Sequence, residues 1–256
     1  MRLPRRLRPG EEATLVEHLD ELRTRLIISV IAVAVAFVAA FAFHEQLIEW
    51  LRRPLPDDRE LITLGVTEPF TTSVKVSLYA ALALALPILL WQLWSFLAPA
   101  MEENTQRVVA AFVAVASLLF AGGLAFGYFV VMPKAIEFLL GYDDALYETQ
   151  VRASYYFSFV AVMLLAIAFF FELPIMILAL VRLGIVTSAQ LRRNRRVLIV
   201  AAVALAILLP TADPVSLVLE TVPLLLLLEA SIWASVFLER RWRAEPGLRE
   251  NAATLR

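Results

Sequence analysis

The chain has no cysteine, only two histidines and few charged residues, and each shortage excludes a class of protein. Charged residues make up 18% of its 256 positions, whereas a soluble domain usually carries about 25%. Without cysteine the chain cannot build a disulfide scaffold, a thiolate zinc site or a cysteine nucleophile. His18 and His44 leave little for a histidine-based metal site or a Ser-His-Asp triad.

Catalytic motifs are missing as well. The sequence contains no G-x-S-x-G, no H-E-x-x-H and no Walker A loop. Neither histidine lies inside a long apolar run, where an intramembrane protease would need its base. The sequence therefore predicts that the protein is not an enzyme, holds no metal or cofactor and binds no nucleic acid.

Long apolar runs dominate what is present. Hydrophobic residues make up 61% of the chain and the mean hydropathy is +0.76, which indicates an integral membrane protein. Five runs reach or approach the length that crosses a hydrocarbon core of about 30 Å: 26–43, 76–97, 108–132, 157–181 and 215–238. A sixth run, 197–209, covers only about 20 Å. We interpret it as a short fifth span that forms a hairpin with the sixth, so the predicted fold is all-α with six spans.

Basic residues set the predicted orientation. With six spans, 17 of the 23 lysines and arginines fall on the side that holds both termini, and six fall on the other side. Because cytoplasmic loops carry the excess of basic residues, both termini are predicted to be cytoplasmic. The predicted organisation is a basic N-terminal tail (1–13), one membrane domain (14–240) and a cytoplasmic tail (241–256).

An amphipathic helix is predicted just before the first span. Leu15, Leu19, Leu22 and Leu26 recur at helical spacing, and Thr14 with a glutamate three residues later forms a capping-box pattern. We expect this helix to lie at the cytoplasmic interface and to continue into the first span.

Three glutamates, Glu172, Glu220 and Glu229, fall within apolar spans, where a centred charge costs about 2.5–3.5 kcal/mol. Two interpretations stay open for them: a functional role, or a protonated or hydrogen-bonded state without one. Prolines also interrupt the even-numbered spans. Pro87, Pro174 and Pro223 each remove a backbone hydrogen bond, so we expect their helices to be kinked.

Several segments together resemble the TatC family of twin-arginine protein translocases. The segments are HLDELRTRL, LPILLWQLWSFLAPAM, FGYFVVMPKAIEFL, SFVAVMLLAIAFFFELPIMIL, LRRNRRVLIV and PTADPVS. They occur in order and at family-like spacing from about residue 14 to residue 240. The resemblance implies a receptor for signal peptides whose Arg-Arg pair binds at the cytoplasmic face.

The resemblance assigns roles to residues at that face. By its position in HLDELRTRL, Glu21 is the acidic contact for the signal peptide, with His18 and Arg23 beside it. A carboxylate suits this role because guanidinium groups pair with it in bidentate fashion. The alternative for Glu21 is an ordinary solvated helix face.

A second acid of the family's pattern is missing here. Counting from Pro99, that position is Thr105, and Glu102 and Glu103 lie just before it. We expect Glu102 or Glu103 to replace the missing acid, in a loop shaped by Phe96 and Pro99.

Further residues match the family inside and across the membrane. Glu172 matches an acid that the resemblance places in a water-accessible groove. Asp213 matches an acid of the external hairpin, and Glu220 lies near the same end. Leu217 stands where the family often has a glutamine, which puts one contact with partner subunits in doubt.

The implied function is export of folded proteins by a Sec-independent complex driven by the proton gradient. The implied partners are twin-arginine signal peptides, the single-span subunits TatA and TatB, and the lipid bilayer, in an oligomeric assembly. The implied location is a prokaryotic plasma membrane. Two rivals stay open: a proton-coupled transporter of a small solute, which explains buried acids and kinked helices, and a purely structural scaffold.

Overall fold

The protein is nearly all helical. The computed structural model describes residues 15–56, 59–97, 105–142, 146, 149–207 and 213–242. The helices in this part of the chain are α1 (Leu15–Ala42), α2 (His44–Arg52), α3 (Glu68–Leu97), α4 (Thr105–Phe126), α5 (Met132–Gly141), α6 (Ala153–Phe170), α7 (Leu173–Arg182), α8 (Ser188–Arg193), α9 (Arg195–Ile207) and α10 (Pro214–Trp242). A π-helical turn, Gly127–Val131, joins α4 to α5.

Among the described residues, five helical segments are long and apolar enough to cross a membrane: Leu19–Ala42, Glu68–Phe96, Val109–Gly141, Ala153–Arg182 and Pro214–Glu239. Each covers one of the runs predicted from the sequence to within one residue at its ends. Most extend past it, because a helix continues beyond the apolar stretch that hydropathy detects. The remaining candidate, α9, has 13 residues, which is the short length that the sequence predicts.

The predicted amphipathic helix and the first span form one continuous helix. α1 runs unbroken from Leu15 to Ala42 and packs along α3. Leu19, Leu22 and Leu26 are exposed, so the apolar stripe lies on a face that the rest of the described chain does not cover. Thr14, the predicted cap, lies outside the described residues.

A pair of small residues lets α4 approach α6 closely. A Cβ atom on Gly123 would lie 2.7 Å from the Cα of Ala168 and 3.0 Å from the Cβ of Phe171. One turn later, a Cβ atom on Gly127 would lie 3.0 Å from a methyl group of Leu164. Small residues four apart are a common device for close helix packing in membranes, and here they bring α4 and the π-helical turn against α6.

Proline positions coincide with two irregularities. The π-helical turn ends just before Met132 and Pro133, and the Met132 amide bonds to the Gly127 carbonyl. Between α6 and α7 the helix is interrupted at Phe171 and Glu172, directly before Pro174. Proline cannot donate a backbone hydrogen bond, so irregular turns of this kind are expected beside it.

The kinks predicted at Pro87, Pro174 and Pro223 remain predictions. Both α3, which contains Pro87, and α10, which contains Pro223, are assigned as unbroken helices.

The prediction of a wholly helical fold is wrong in one detail. Two short strands, β1 (Leu61–Ile62) and β2 (Val151–Arg152), pair in parallel, with Leu61 opposite Val151. They lie in the connections that precede α3 and α6. The pairing satisfies backbone groups that helices would otherwise satisfy internally.

Two tyrosine hydroxyls attach α2 to the π-helical turn and to α6. Tyr128 donates a hydrogen bond to the carbonyl of Trp50 at 2.8 Å, and the two rings stack with centroids 3.7 Å apart. Tyr156 donates to the carbonyl of Leu51 at 2.9 Å. The short helix is therefore part of the folded core and not a loose loop.

Candidate functional site

Glu21 belongs to a polar cluster where the start of α1 meets the end of α3. Arg25, one helical turn later, donates from Nε to Glu21 Oε1 at 3.0 Å, and its Nη2 also donates to that oxygen. The same guanidinium donates to the backbone carbonyl of Ser95 at 3.1 Å and reaches Gln92 Oε1 at 3.5 Å. We call Glu21, Arg25, Gln92 and Ser95 the Glu21 cluster.

The cluster leaves part of the Glu21 carboxylate open. Its side chain is 24% exposed and that of Arg25 is 22% exposed. Within the described part of the chain, Oε2 of Glu21 accepts no hydrogen bond. A half-buried carboxylate with one open oxygen can accept a further guanidinium.

The sequence indicated Arg23 as the neighbour of Glu21, but in the structure Arg25 forms the hydrogen bond with the Glu21 carboxylate. Arg23 is exposed and lies two positions from Glu21, which places it on another side of the helix. Residues four apart share a face, so Arg25 could have been identified from the spacing alone.

The remaining residues of the predicted peptide site are described only in part. Phe96 lies half-buried near the end of α3, beside the Glu21 cluster in sequence. Thr105 is the first residue of α4. Pro99, Glu102 and Glu103 lie outside the described residues, so their placement stays a prediction.

Glu172 sits at the break between α6 and α7. It precedes the first residue of α7 and is buried, with 4% of its surface exposed. Among the described residues, neither of its carboxylate oxygens has a hydrogen-bond partner. An unsatisfied buried polar group costs free energy, so this carboxyl is a poor contributor to the fold and a good candidate for a role in transport.

Asp213 caps the start of α10. Its Oδ1 accepts a hydrogen bond from the Ser216 amide at 2.7 Å, and the side chain is buried. The other oxygen, Oδ2, has no partner in the part of the chain that the structure describes. Glu220, about two turns along α10, is also buried. The structure thus places both predicted hairpin acids in the interior of the monomer.

Glu229 has a basic partner that the sequence did not identify. Arg195, the first residue of α9, donates from Nε to Glu229 Oε1 of α10 at 2.5 Å. No lysine or arginine lies inside the predicted apolar runs, and Arg195 comes from just outside the run 197–209. This ion pair neutralises Glu229 and joins α9 to α10.

A second polar cluster holds the opposite end of the bundle. The buried carboxylate of Glu68 accepts hydrogen bonds from the amides of Leu64 and Gly65 at 2.9 and 3.3 Å, from Arg152 Nε at 2.9 Å and from the Ser154 amide at 3.2 Å. The bond with Glu68 raises the pKa of Arg152. The predicted apolar run 76–97 begins after Glu68, and nothing in it reveals the link from the start of α3 to α6.

The polar side chains of the described residues can bind a charged ligand or a proton. No group of three or more histidine, aspartate or glutamate side chains in the described part of the chain could hold a metal ion. The Glu21 cluster can accept a cationic ligand, and Glu172 can hold a proton.

The comparisons with known proteins agree on one family. The family model described as Sec-independent protein translocase protein (TatC) matches residues 17–223. The Sec-independent protein translocase protein TatC of Magnetococcus marinus is 36% identical, with 94% of this chain and 90% of that protein covered. TatC of Deinococcus radiodurans is 37% identical, with 86% of this chain and 84% of that protein covered.

Solved structures agree with the sequence relatives. A crystal structure of the twin-arginine translocase receptor TatC in DDM superposes with a TM-score of 0.75 at 37% identity, covering 85% of this chain and 99% of that one. A second crystal structure of the same receptor gives a TM-score of 0.73 at 36% identity, with 88% and 99% covered. The chain is therefore a multi-pass membrane protein that belongs to the TatC family of Sec-independent protein translocases.

Proposed function

We propose that this protein receives twin-arginine signal peptides at the Glu21 cluster, as the core subunit of a translocase that exports folded proteins. The observation that carries the proposal is the half-buried Glu21 carboxylate, which already binds one guanidinium through Oε1 and keeps Oε2 open. The solved relatives are described as twin-arginine translocase receptors, which supports the same role.

The proposed topology has six spans with both termini in the cytoplasm. Polar contacts support it: Arg25 of α1 bonds to the end of α3, and Glu239 near the end of α10 accepts from the Ser188 amide at the start of α8. The excess of basic residues on the side of both termini favours the cytoplasmic assignment. In this topology α9 is the fifth span.

In the proposed peptide site, two acids receive the two arginines. Glu21 takes one guanidinium, with His18 and Arg23 nearby in sequence. Glu102 or Glu103 takes the other, since Thr105 cannot. Phe96 and Pro99 shape the loop between them.

The binding test compares a labelled twin-arginine peptide with its twin-lysine counterpart on the detergent-purified protein. Glu21→Gln is expected to weaken twin-arginine binding about tenfold or more, because a charge-assisted pair is lost. Asp20→Asn removes an exposed acid from the neighbouring position and serves as the matched control. Equal losses in both variants, or equal binding of both peptides by the unmodified protein, would contradict the proposed site.

Single replacements test the second acid. Glu102→Gln or Glu103→Gln is expected to reduce binding, and unchanged binding in both variants would remove these residues from the site.

The proposed transport step uses the proton gradient. The apolar part of the signal peptide inserts along a groove near Glu172, and TatA and TatB assemble beside the chain, with Asp213 and Glu220 at the external hairpin. The short α9 thins the bilayer locally, because a span shorter than the hydrocarbon core deforms it at modest cost. Adding four leucines to α9 is expected to reduce transport, and unchanged transport would argue against thinning.

A proton-coupled transporter of a small solute is not favoured. A buried carboxyl such as Glu172 fits that alternative, but the family match and the relatives all belong to Sec-independent protein translocases.

A further inference from the structure

An apolar cavity of about 280 Å³ opens where α7, α8 and α9 meet. Its volume lies just below the range of about 300–1,000 Å³ for small-molecule sites. The lining is Ile177, Leu180, Val186, Gln190, Leu191, Asn194 and Leu198. Gln190 and Asn194 are the two polar members, so the cavity suits a hydrocarbon chain with a polar group at one side.

Arginines are concentrated beside this cavity. Arg192 and Arg193 end α8, Arg196 lies in the first turn of α9, and all three are exposed. None of the three forms a hydrogen bond or ion pair with the described part of the chain. Arg195, between them, is paired with Glu229. Three guanidinium groups within five residues, none of them paired with a described residue, repel one another and favour an anionic ligand.

The surface around the cavity is apolar. Leu180 of α7, Ile185 of the following turn, and Val197 and Val200 of α9 are exposed. In a membrane such side chains face acyl chains. Exposed apolar side chains and exposed arginines therefore occur together within residues 180–200, which also supply most of the cavity lining, and this combination is typical of headgroup depth.

We propose that the cavity and Arg192, Arg193 and Arg196 form a binding site for an anionic phospholipid. One acyl chain occupies the cavity, the phosphate lies against the arginines, and the amide of Asn194 bonds to the glycerol or phosphate oxygens. A zwitterionic lipid lacks the net negative charge that the arginines favour. A free phosphate leaves the apolar cavity empty. The combination of apolar volume and positive charge selects a lipid that carries both features.

The test measures retention of phosphatidylglycerol and phosphatidylcholine by the full-length protein, using native mass spectrometry from mixed micelles. The unmodified protein is expected to retain phosphatidylglycerol in preference. Replacing Arg192, Arg193 and Arg196 one at a time with Gln is expected to weaken retention about fivefold for each charge removed. The matched control removes three exposed charges elsewhere through Arg52→Gln, Arg53→Gln and Lys75→Gln, and retention is expected to stay unchanged.

A second pair of variants tests the cavity. Leu198→Phe fills volume inside the lining, and Val197→Phe adds similar bulk to the neighbouring exposed position. Only Leu198→Phe is expected to reduce retention, with thermal melting confirming that both variants are folded.

Several outcomes would overturn the proposal. These are equal retention of both lipids, equal losses in the two sets of charge variants, or complete displacement of the lipid by inorganic phosphate. The last result would indicate a simple anion site. Saturable binding of an acidic peptide that excludes the lipid would assign the arginines to a protein partner.

Signal-peptide binding, measured on the same variants, is expected to be unaffected.

Discussion

Gly123 of α4 lies so close to Ala168 of α6 that a methyl group at position 123 would stand 2.7 Å from the Ala168 Cα. The obstacle is backbone, which cannot rotate away, so Gly123→Ala forces the two helices apart. We expect the variant to lose about 1–3 kcal/mol of unfolding free energy, the usual cost of overpacking. Thermal melting of the purified protein in detergent measures the loss.

The neighbouring glycine provides the control for this prediction. A Cβ atom on Gly122 would meet nothing within 4 Å, so Gly122→Ala is expected to be neutral or slightly stabilising, since alanine is the better helix former. Equal destabilisation by both replacements would show that the close approach of α4 and α6 does not limit packing.

Arg25 is expected to matter more for stability than Arg23. Arg25→Gln removes the bonds to Glu21 and to the Ser95 carbonyl and should cost about 1–2 kcal/mol. Arg23→Gln changes an exposed side chain and should stay within about 0.5 kcal/mol. Melting temperatures of the two variants test the difference, and a larger loss for Arg23→Gln would contradict the geometry of the Glu21 cluster.

Glu68→Gln is expected to lower the melting temperature clearly, because a neutral amide cannot accept all four hydrogen bonds as the carboxylate does. Glu137→Gln is the matched control. Glu137 forms an ion pair with Lys134 at 2.8 Å in which both side chains are largely exposed, and such pairs contribute little. If the two replacements lower the melting temperature equally, Glu68 does not join α3 to α6 energetically.

Glu172→Met is expected to raise stability while transport falls. The apolar side chain replaces a buried carboxyl that has no hydrogen-bond partner among the described residues, and the gain should be roughly 1–3 kcal/mol. Export of a reporter protein with a twin-arginine signal peptide measures transport. A stabilised variant with full export would show that the carboxyl has no transport role, and a destabilised variant would show that it supports the fold.

Hydropathy predicted the long helices well because a segment that crosses a membrane needs about 20 consecutive apolar residues. Some of the unpredicted detail had a usable signal. Glu21 and Arg25 are four residues apart, and Gly123 and Gly127 form a small-residue pair. Other contacts had none. Glu68 and Arg152 are 84 residues apart, and no periodicity of one segment reveals which side chain of a distant segment will meet it.

The functional residues divide in the same way. Motif position identified Glu21, Glu172 and Asp213 as candidate functional acids, but not what each one contacts. Whether an acid is paired, as Glu229 is with Arg195, or unpartnered within the described chain, as Glu172 is, depends on how neighbouring helices are placed.

The two tyrosines that hold α2 donate to main-chain carbonyls, not to side chains. Every residue type supplies such an acceptor, so most of the exposed positions of α2 can diverge without losing this attachment. The constraint falls on the hydroxyl groups of Tyr128 and Tyr156, on the Trp50 ring that stacks on Tyr128 and on the buried side chain of Leu51. The exposed residues of α2 can therefore differ among related proteins while the helix keeps the same attachment to the bundle.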